Sequence, residues 1–278
     1  MLRIPALPYP LFRGLLGLLM RTDITLIGAR NIPDGPCIAC SNHPHREEIL
    51  LGYRIFQRPV HIMLQKGLFD RAHLEDEFRA ALEGTYRFPG WVEGLAPIAA
   101  EWIARQNTAL GAIPVAREKD VDDPRSALLI NRSAFHLAIR ALERGHVIGM
   151  APEGVLSPEE GVGQLQKGAA QMAWHFARRD RPVPLLPIIF WGIRGLDKSL
   201  FGRGRAIVAV GEPLPAVRKD GEGRKAYTDR VTGELREDLI DLMEHVKGIP
   251  TDALPPAPTR SWGRIEAPPI GSKGSQSL

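Results

Sequence analysis

Pro36-Cys37-Ile38-Ala39-Cys40-Ser41-Asn42-His43-Pro44-His45-Arg46-Glu47-Glu48 carries the reading of the fold. The apolar run Pro36 to Cys40 predicts a buried strand, since strands covered on both faces read as continuous apolar stretches. Ser41-Asn42-His43 ends it. Pro44 suits the first turn of a helix, and Ile49, Leu50, Tyr53 and Phe56 then fall on one helical face. A strand running straight into a helix predicts an α/β chain and sets His43 at the junction.

The same alternation extends outward. On the N-terminal side Asp23 to Gly28 alternates like a strand and Asn31 to Gly35 has turn composition. On the C-terminal side Val60 to Leu64, Gly111 to Arg117, Val147 to Ala151, Pro184 to Trp191 and Arg205 to Val210 read as strands. Between them lie helical stretches: Ser126 to Arg144, closed by Gly145, then Leu165, Ala169, Met172 and Phe176 at helical spacing, then about Ala226 to Val246. Charged helical segments and a Gly/Pro/Trp-rich loop around Tyr86 to Gly94 fill the gap after Leu64. The expected fold is a single α/β domain over 23–249, its mixed, mainly parallel sheet flanked by helices. Residues 1–22 hold an N-terminal helix, and 250–278, rich in Pro, Gly and Ser, are expected to be a flexible tail.

The N-terminal segment Pro10 to Arg21 is Leu-rich, is interrupted by Arg13 and lacks a small-residue cleavage site. It reads either as an interfacial helix on a bilayer or as a helix packed on the domain. The longest nearly uncharged stretch elsewhere, Pro182 to Ile193, holds three prolines and falls short of the roughly 20 residues a spanning helix needs.

Composition bounds the function. The chain has 278 residues, 44% hydrophobic and 24% charged, which excludes global disorder. Its net charge is 36 − 32 = +4, enough to favour an anionic surface or substrate. Aromatics are 6% and interleave with no long Lys/Arg run, so nucleic acid is not an expected partner. Two cysteines make no disulfide framework. Cys37, Cys40, His43 and His45 are closely spaced donors and raise a metal-dependent hydrolase built on His43 and His45 as an alternative. On a strand, however, Cys37 and Cys40 face opposite ways, and Glu47 and Glu48 stand where a His-x-His-x-Asp-His pattern needs Asp and His. No metal or resident cofactor is expected.

His43 at a helix entrance, with Glu48 one turn on, is the pattern of an imidazole held in one tautomer by a carboxylate, leaving its second nitrogen a positioned base. Glu47, four residues from His43, is a rival partner. Arg117 ends a strand where its fork could grip a phosphate. Pro152-Glu153-Gly154-Val155-Leu156-Ser157, followed by Lys167-Gly168-Ala169, sets a carboxylate and a glycine in a tight turn at a strand's C-terminal end, where open α/β sheets bind ligands.

Taken together, in this order, these blocks resemble the glycerophospholipid acyltransferases of the 1-acylglycerol-3-phosphate acyltransferase type. Asn42-His43 with Glu48 resembles their Asn-His-x4-Asp. Gly111 to Arg117, Pro152 to Ser157 with Lys167-Gly168-Ala169, and Val183 to Pro187 resemble their later blocks, over about residues 10–215. The resemblance implies that His43 takes the proton of an acceptor hydroxyl attacking an acyl thioester of coenzyme A or acyl-carrier protein, with Glu48 orienting it. Asn42, Arg117, Glu153, Gly154, Ser157 and Lys167 would bind a lysophosphatidic-acid-like or other hydroxyl acceptor. No covalent acyl-enzyme is implied, because there is a base and no separate nucleophile. It further implies a role in phospholipid biosynthesis, peripheral to the cytoplasmic, inner face of a membrane. Three departures stand out: Glu48 for aspartate, Val155 for threonine and Leu156 for arginine. They motivate a rival reading as a catalytically degenerate, lipid-binding member of the same fold. Trp91 and Trp102, in a segment from Leu68 to Leu110 that looks long for the family, would line an acyl tunnel or simply pack.

Overall fold

The computed structural model describes residues 5–19, 23–44, 48–84, 94–117, 120–121, 123–156, 161–194 and 205–249. In it the apolar run before Asn42 forms strand β2 (Cys37–Ser41), the middle strand of a seven-stranded sheet. β2 pairs in parallel with β6 (Leu185–Arg194) on one side and β5 (Val147–Met150) on the other. Beyond β5 come β3 (Val60–Gln65) and the edge strand β4 (Ile113–Val115), both parallel. Beyond β6, β7 (Arg205–Val210) runs antiparallel, and β1 (Asp23–Ile27) pairs parallel to it at the other edge. The sheet is mixed and mainly parallel, as expected. Five strands, β2 to β6, therefore end on one common edge.

Period-two alternation in β2 builds two cores. Cys37 and Ala39 pack on one face with Ile62, Leu64 and Leu186 beneath α1 (Tyr9–Leu19) and α2 (Glu48–Ile55). Ile38 and Cys40 pack on the other with Ile148 and Leu185 beneath α5 (Pro124–Glu143), α6 (Gly168–Ala177) and α7 (Arg224–Lys247). Burial on both faces is what makes the strand continuously apolar. It also separates the two thiols, so Cys37 and Cys40 cannot meet on one ion. Burial pushes the Cys37 thiol up to about 11 and raises that of Cys40 as well. His45 lies outside the described residues.

The remaining helices, α3 (Arg71–Gly84) and α4 (Ala96–Ala109), bridge β3 and β4. α5 starts as its sequence dictates: the Asp123 carboxylate accepts from the Arg125 N–H at 3.1 Å, and Pro124 holds the first turn. It stops at Gly145, whose φ of 84° lets the N–H groups of Gly145 and His146 bond back to Leu142 and Ala141.

One face of the N-terminal helix packs on the domain. Phe12 and Leu16 are buried in the α1/α2 core, and the Tyr9 hydroxyl donates to the carbonyls of Tyr53 and Phe56. Leu11 and Leu18 face outward. Trp102 packs on Phe12, ring centroids 6.4 Å apart, and its Nε1–H donates to the Pro5 carbonyl at 3.2 Å. Trp91 and the segment 250–278 lie outside the described residues, and no described helix is long and apolar enough to cross a membrane. The helix expected from Pro44 begins at Glu48, after the undescribed residues 45–47.

Candidate active site

The strand–helix junction delivers the expected pair. His43 follows the end of β2, and Glu48 opens α2, where a carboxylate suits the positive end of the helix. Glu48 Oε1 and His43 Nδ1 are hydrogen-bonded. Glu48 is buried, at 4% exposure, and the His43 side chain is 24% exposed. A carboxylate can only accept, so Nδ1 carries a proton, and in the neutral ring Nε2 keeps its lone pair. The glutamate's extra methylene is thus accommodated; the rival Glu47 lies outside the described residues.

Asn42 is not arranged as the substrate ligand the reading expected. Its amide is wholly buried, with Nδ2 donating to the Phe190 carbonyl at 3.0 Å and Oδ1 accepting from the Phe190 N–H at 2.8 Å.

The turn after β5 lies on the strand next to β2. Gly154, at φ 69°, supplies the left-handed residue of a turn closed by its N–H on the Ala151 carbonyl. Further along, the Gln166 N–H closes on the Pro152 carbonyl at 2.7 Å. Glu153 is buried at 5% exposure, and a Cβ at Gly163 would stand 2.9 Å from its Oε2. Glycine at 163 is therefore what lets the carboxylate lie against that backbone. Val155 and Leu156 are exposed, so this turn offers apolar surface. Ser157 lies outside the described residues.

Arg117 follows β4 on the same sheet edge, three strand spacings from β2, about 14 Å between strand axes. Its Nε and one terminal nitrogen grip Asp120 at 2.7 and 2.9 Å, a bidentate pair that raises the guanidinium's affinity for its proton. Lys167 precedes α6 and pairs with Asp229 of α7, which Lys225 also reaches at 3.0 Å. The two cations are thus both engaged by carboxylates of the chain.

The edge therefore gathers His43, Glu48, Glu153 and Gly154 over neighbouring strands, with Arg117 across β5 and β3. Four partners were not read from the sequence: Phe190, Gly163, Asp120 and Asp229. Asp120, three residues after Arg117, was visible at ion-pair spacing. The other three bring together chain segments from 10 to 148 residues apart, which no local pattern reveals. Lys66, exposed directly after β3, is a further cation on this edge.

No family model and no curated protein matches the chain. Among solved structures it is similar to the 1-acyl-sn-glycerophosphate (LPA) acyltransferase PlsC from Thermotoga maritima, at 19% identity and a TM-score of 0.47. The similarity covers 87% of this chain and 79% of that one.

Proposed function

We propose that this chain is an O-acyltransferase that moves a fatty acyl group from a thioester, of coenzyme A or of acyl-carrier protein, to a hydroxyl of a lysophosphatidic-acid-like acceptor. The observation that carries the reading is the His43–Glu48 hydrogen bond at the C-terminal edge of the sheet. With Nδ1–H fixed on a buried carboxylate, Nε2 is a base with a set direction. It takes the acceptor's hydroxyl proton as that oxygen attacks the thioester carbonyl. The tetrahedral intermediate then collapses, its carbon–sulfur bond breaks, and the proton on Nε2 passes to the departing thiolate. Glu48 stabilises the imidazolium between the two transfers. Ester and free thiol leave, and the base is restored.

In this reading Arg117 contacts the acceptor's phosphate through the guanidinium donors that Asp120 leaves unused. Glu153 and Gly154 shape the acceptor site, with Ser157 and Lys167 completing it. The apolar Val155–Leu156 pair favours an acceptor that brings an acyl chain of its own. Such an acceptor resides in a bilayer, so the reading includes peripheral work at the inner face of a membrane.

Thiol release tests the proposal. Purified chain is offered acyl-CoA and acyl-carrier-protein donors with lysophosphatidic acid, glycerol 3-phosphate or a neutral alcohol. Release that depends on lysophosphatidic acid is expected. Silence with every donor and acceptor would leave a lipid-binding protein that keeps the fold without turnover.

A further inference from the structure

We infer that Asn42 is a positioning residue: it staples the end of β2 to β6 and so fixes the backbone from which His43 reaches Glu48. The inference rests on His43 being the base of the proposed reaction.

The parallel β2–β6 ladder runs to the pair Ser41 and Ile188. Two residues further along β6, Phe190 is buried, and its N–H and C=O meet the Asn42 side chain instead of a backbone. An asparagine side chain is one amide, with one carbonyl and donor hydrogens, and so can replace a peptide group on both counts. Its two bonds, at 3.0 and 2.8 Å, are those of a continuing ladder. The main chain is thereby released from the sheet while its last side chain stays tied to it. Buried peptide groups require partners, so the residue at 42 is held to this arrangement from the β6 side.

His43 is the next residue. Its ring position depends on the backbone at 42–43, which Asn42 fixes, and on the Glu48 carboxylate, which holds Nδ1. A change in either shifts the imidazole, and with it the aim of Nε2. With 0% exposure and both ends of its amide engaged, Asn42 has no surface for a substrate. Serine cannot span both Phe190 groups. Aspartate cannot donate to the carbonyl unless it is protonated.

The test uses the full chain with Asn42→Ser and Asn42→Asp beside wild type, each first shown to be folded by its melting curve and far-ultraviolet circular dichroism. One readout needs no turnover: the Nδ1–H proton resonance of His43, assigned by its loss in His43→Ala. In a folded Asn42→Ser chain this resonance is expected to move or broaden. If turnover is present, kcat is expected to fall about tenfold or more while KM for donor and acceptor stays within about twofold, as suits a change of general-base geometry. In the double variant with Glu48→Gln the two losses should be far from additive, because both act through one ring. A folded Asn42→Ser chain with an unmoved resonance overturns the inference, as do additive losses or a rise in KM at constant kcat. A moved resonance in a chain that never turns over would uphold the positioning role while removing the acyltransferase reading.

Discussion

Glu48, in the first turn of α2, closes its buried carboxylate on Nδ1 of His43, five residues earlier at the end of β2. The strand supplies one partner and the helix the other, so the junction itself sets their separation. Glu48→Gln keeps the shape but replaces a charged acceptor by a neutral amide that stabilises imidazolium poorly. It is expected to lower kcat about 10²-fold. Glu48→Asp withdraws the carboxylate by one carbon–carbon bond, about 1.5 Å, and is expected to fall between Gln and wild type. Steady-state kinetics on the three chains checks the order. Equal activity in all three would remove Glu48 from the mechanism.

Gly163 gives access to Glu153 without touching the base. Its missing Cβ is the space in which Glu153 Oε2 lies, at 2.9 Å from where that carbon would stand. Gly163→Ala should displace the carboxylate and raise KM for the acceptor, leaving donor KM and the melting temperature close to wild type. An unchanged acceptor KM would show that Glu153 does not shape that site.

His61 and His146 make a pH-sensitive contact at the opposite edge of the sheet. His61 Nδ1–H donates to the Gly111 carbonyl at 2.8 Å, so its Nε2 accepts from His146 Nδ1–H, also at 2.8 Å, with the rings stacked 4.9 Å apart. Burial, then His61, Arg144 and Arg58 nearby, push the His146 imidazole below its ordinary range. The unfolded chain therefore binds this proton more readily than the folded one. Stability should be full above the ordinary histidine value near pH 6.5 and decline as pH falls below it, toward the lower folded value. Melting temperatures from pH 8 to pH 5 should show this slope, and His146→Asn should reduce it. An identical slope in that variant would place its origin elsewhere.

Gly28 closes the far side of the sheet. At φ 70° a Cβ there would lie 2.1 Å from the Val210 carbonyl oxygen, which Asn31 Nδ2 already contacts at 2.9 Å. The obstacle is backbone, so the neighbour cannot yield cheaply. Gly28→Ala is expected to cost about 2–4 kcal/mol, at the severe end of single substitutions, read by denaturant unfolding. A loss below about 0.5 kcal/mol, the scale of ordinary surface changes, would contradict the packing described.

The sequence made the elements legible because each carries its own period. Continuous apolar runs marked β2, β5 and β6, and Gly145 marked the end of α5, whose start at Pro124 lies two residues before the expected Ser126. The junction that places His43 and Glu48 together was local and therefore readable. Strand order was not, since the antiparallel entry of β7 and the pairing of β1 at the edge are set by packing across the whole chain. The same distance hid the true partner of Asn42. Phe190 lies 148 residues away and contributes only its peptide, which has no signature in a residue name. Arg117 and Lys167 read as cations open to an acceptor, whereas the fold sets Asp120 and Asp229 against them.

The role proposed for His43 is that of base in an acyl transfer. Its most direct test is the rate of thiol release from an acyl thioester, with and without lysophosphatidic acid, for wild type and His43→Ala at equal folded concentration. Acceptor-dependent release in wild type and a loss of about 10³-fold in the variant are expected. Release that persists unchanged without the imidazole would contradict that role.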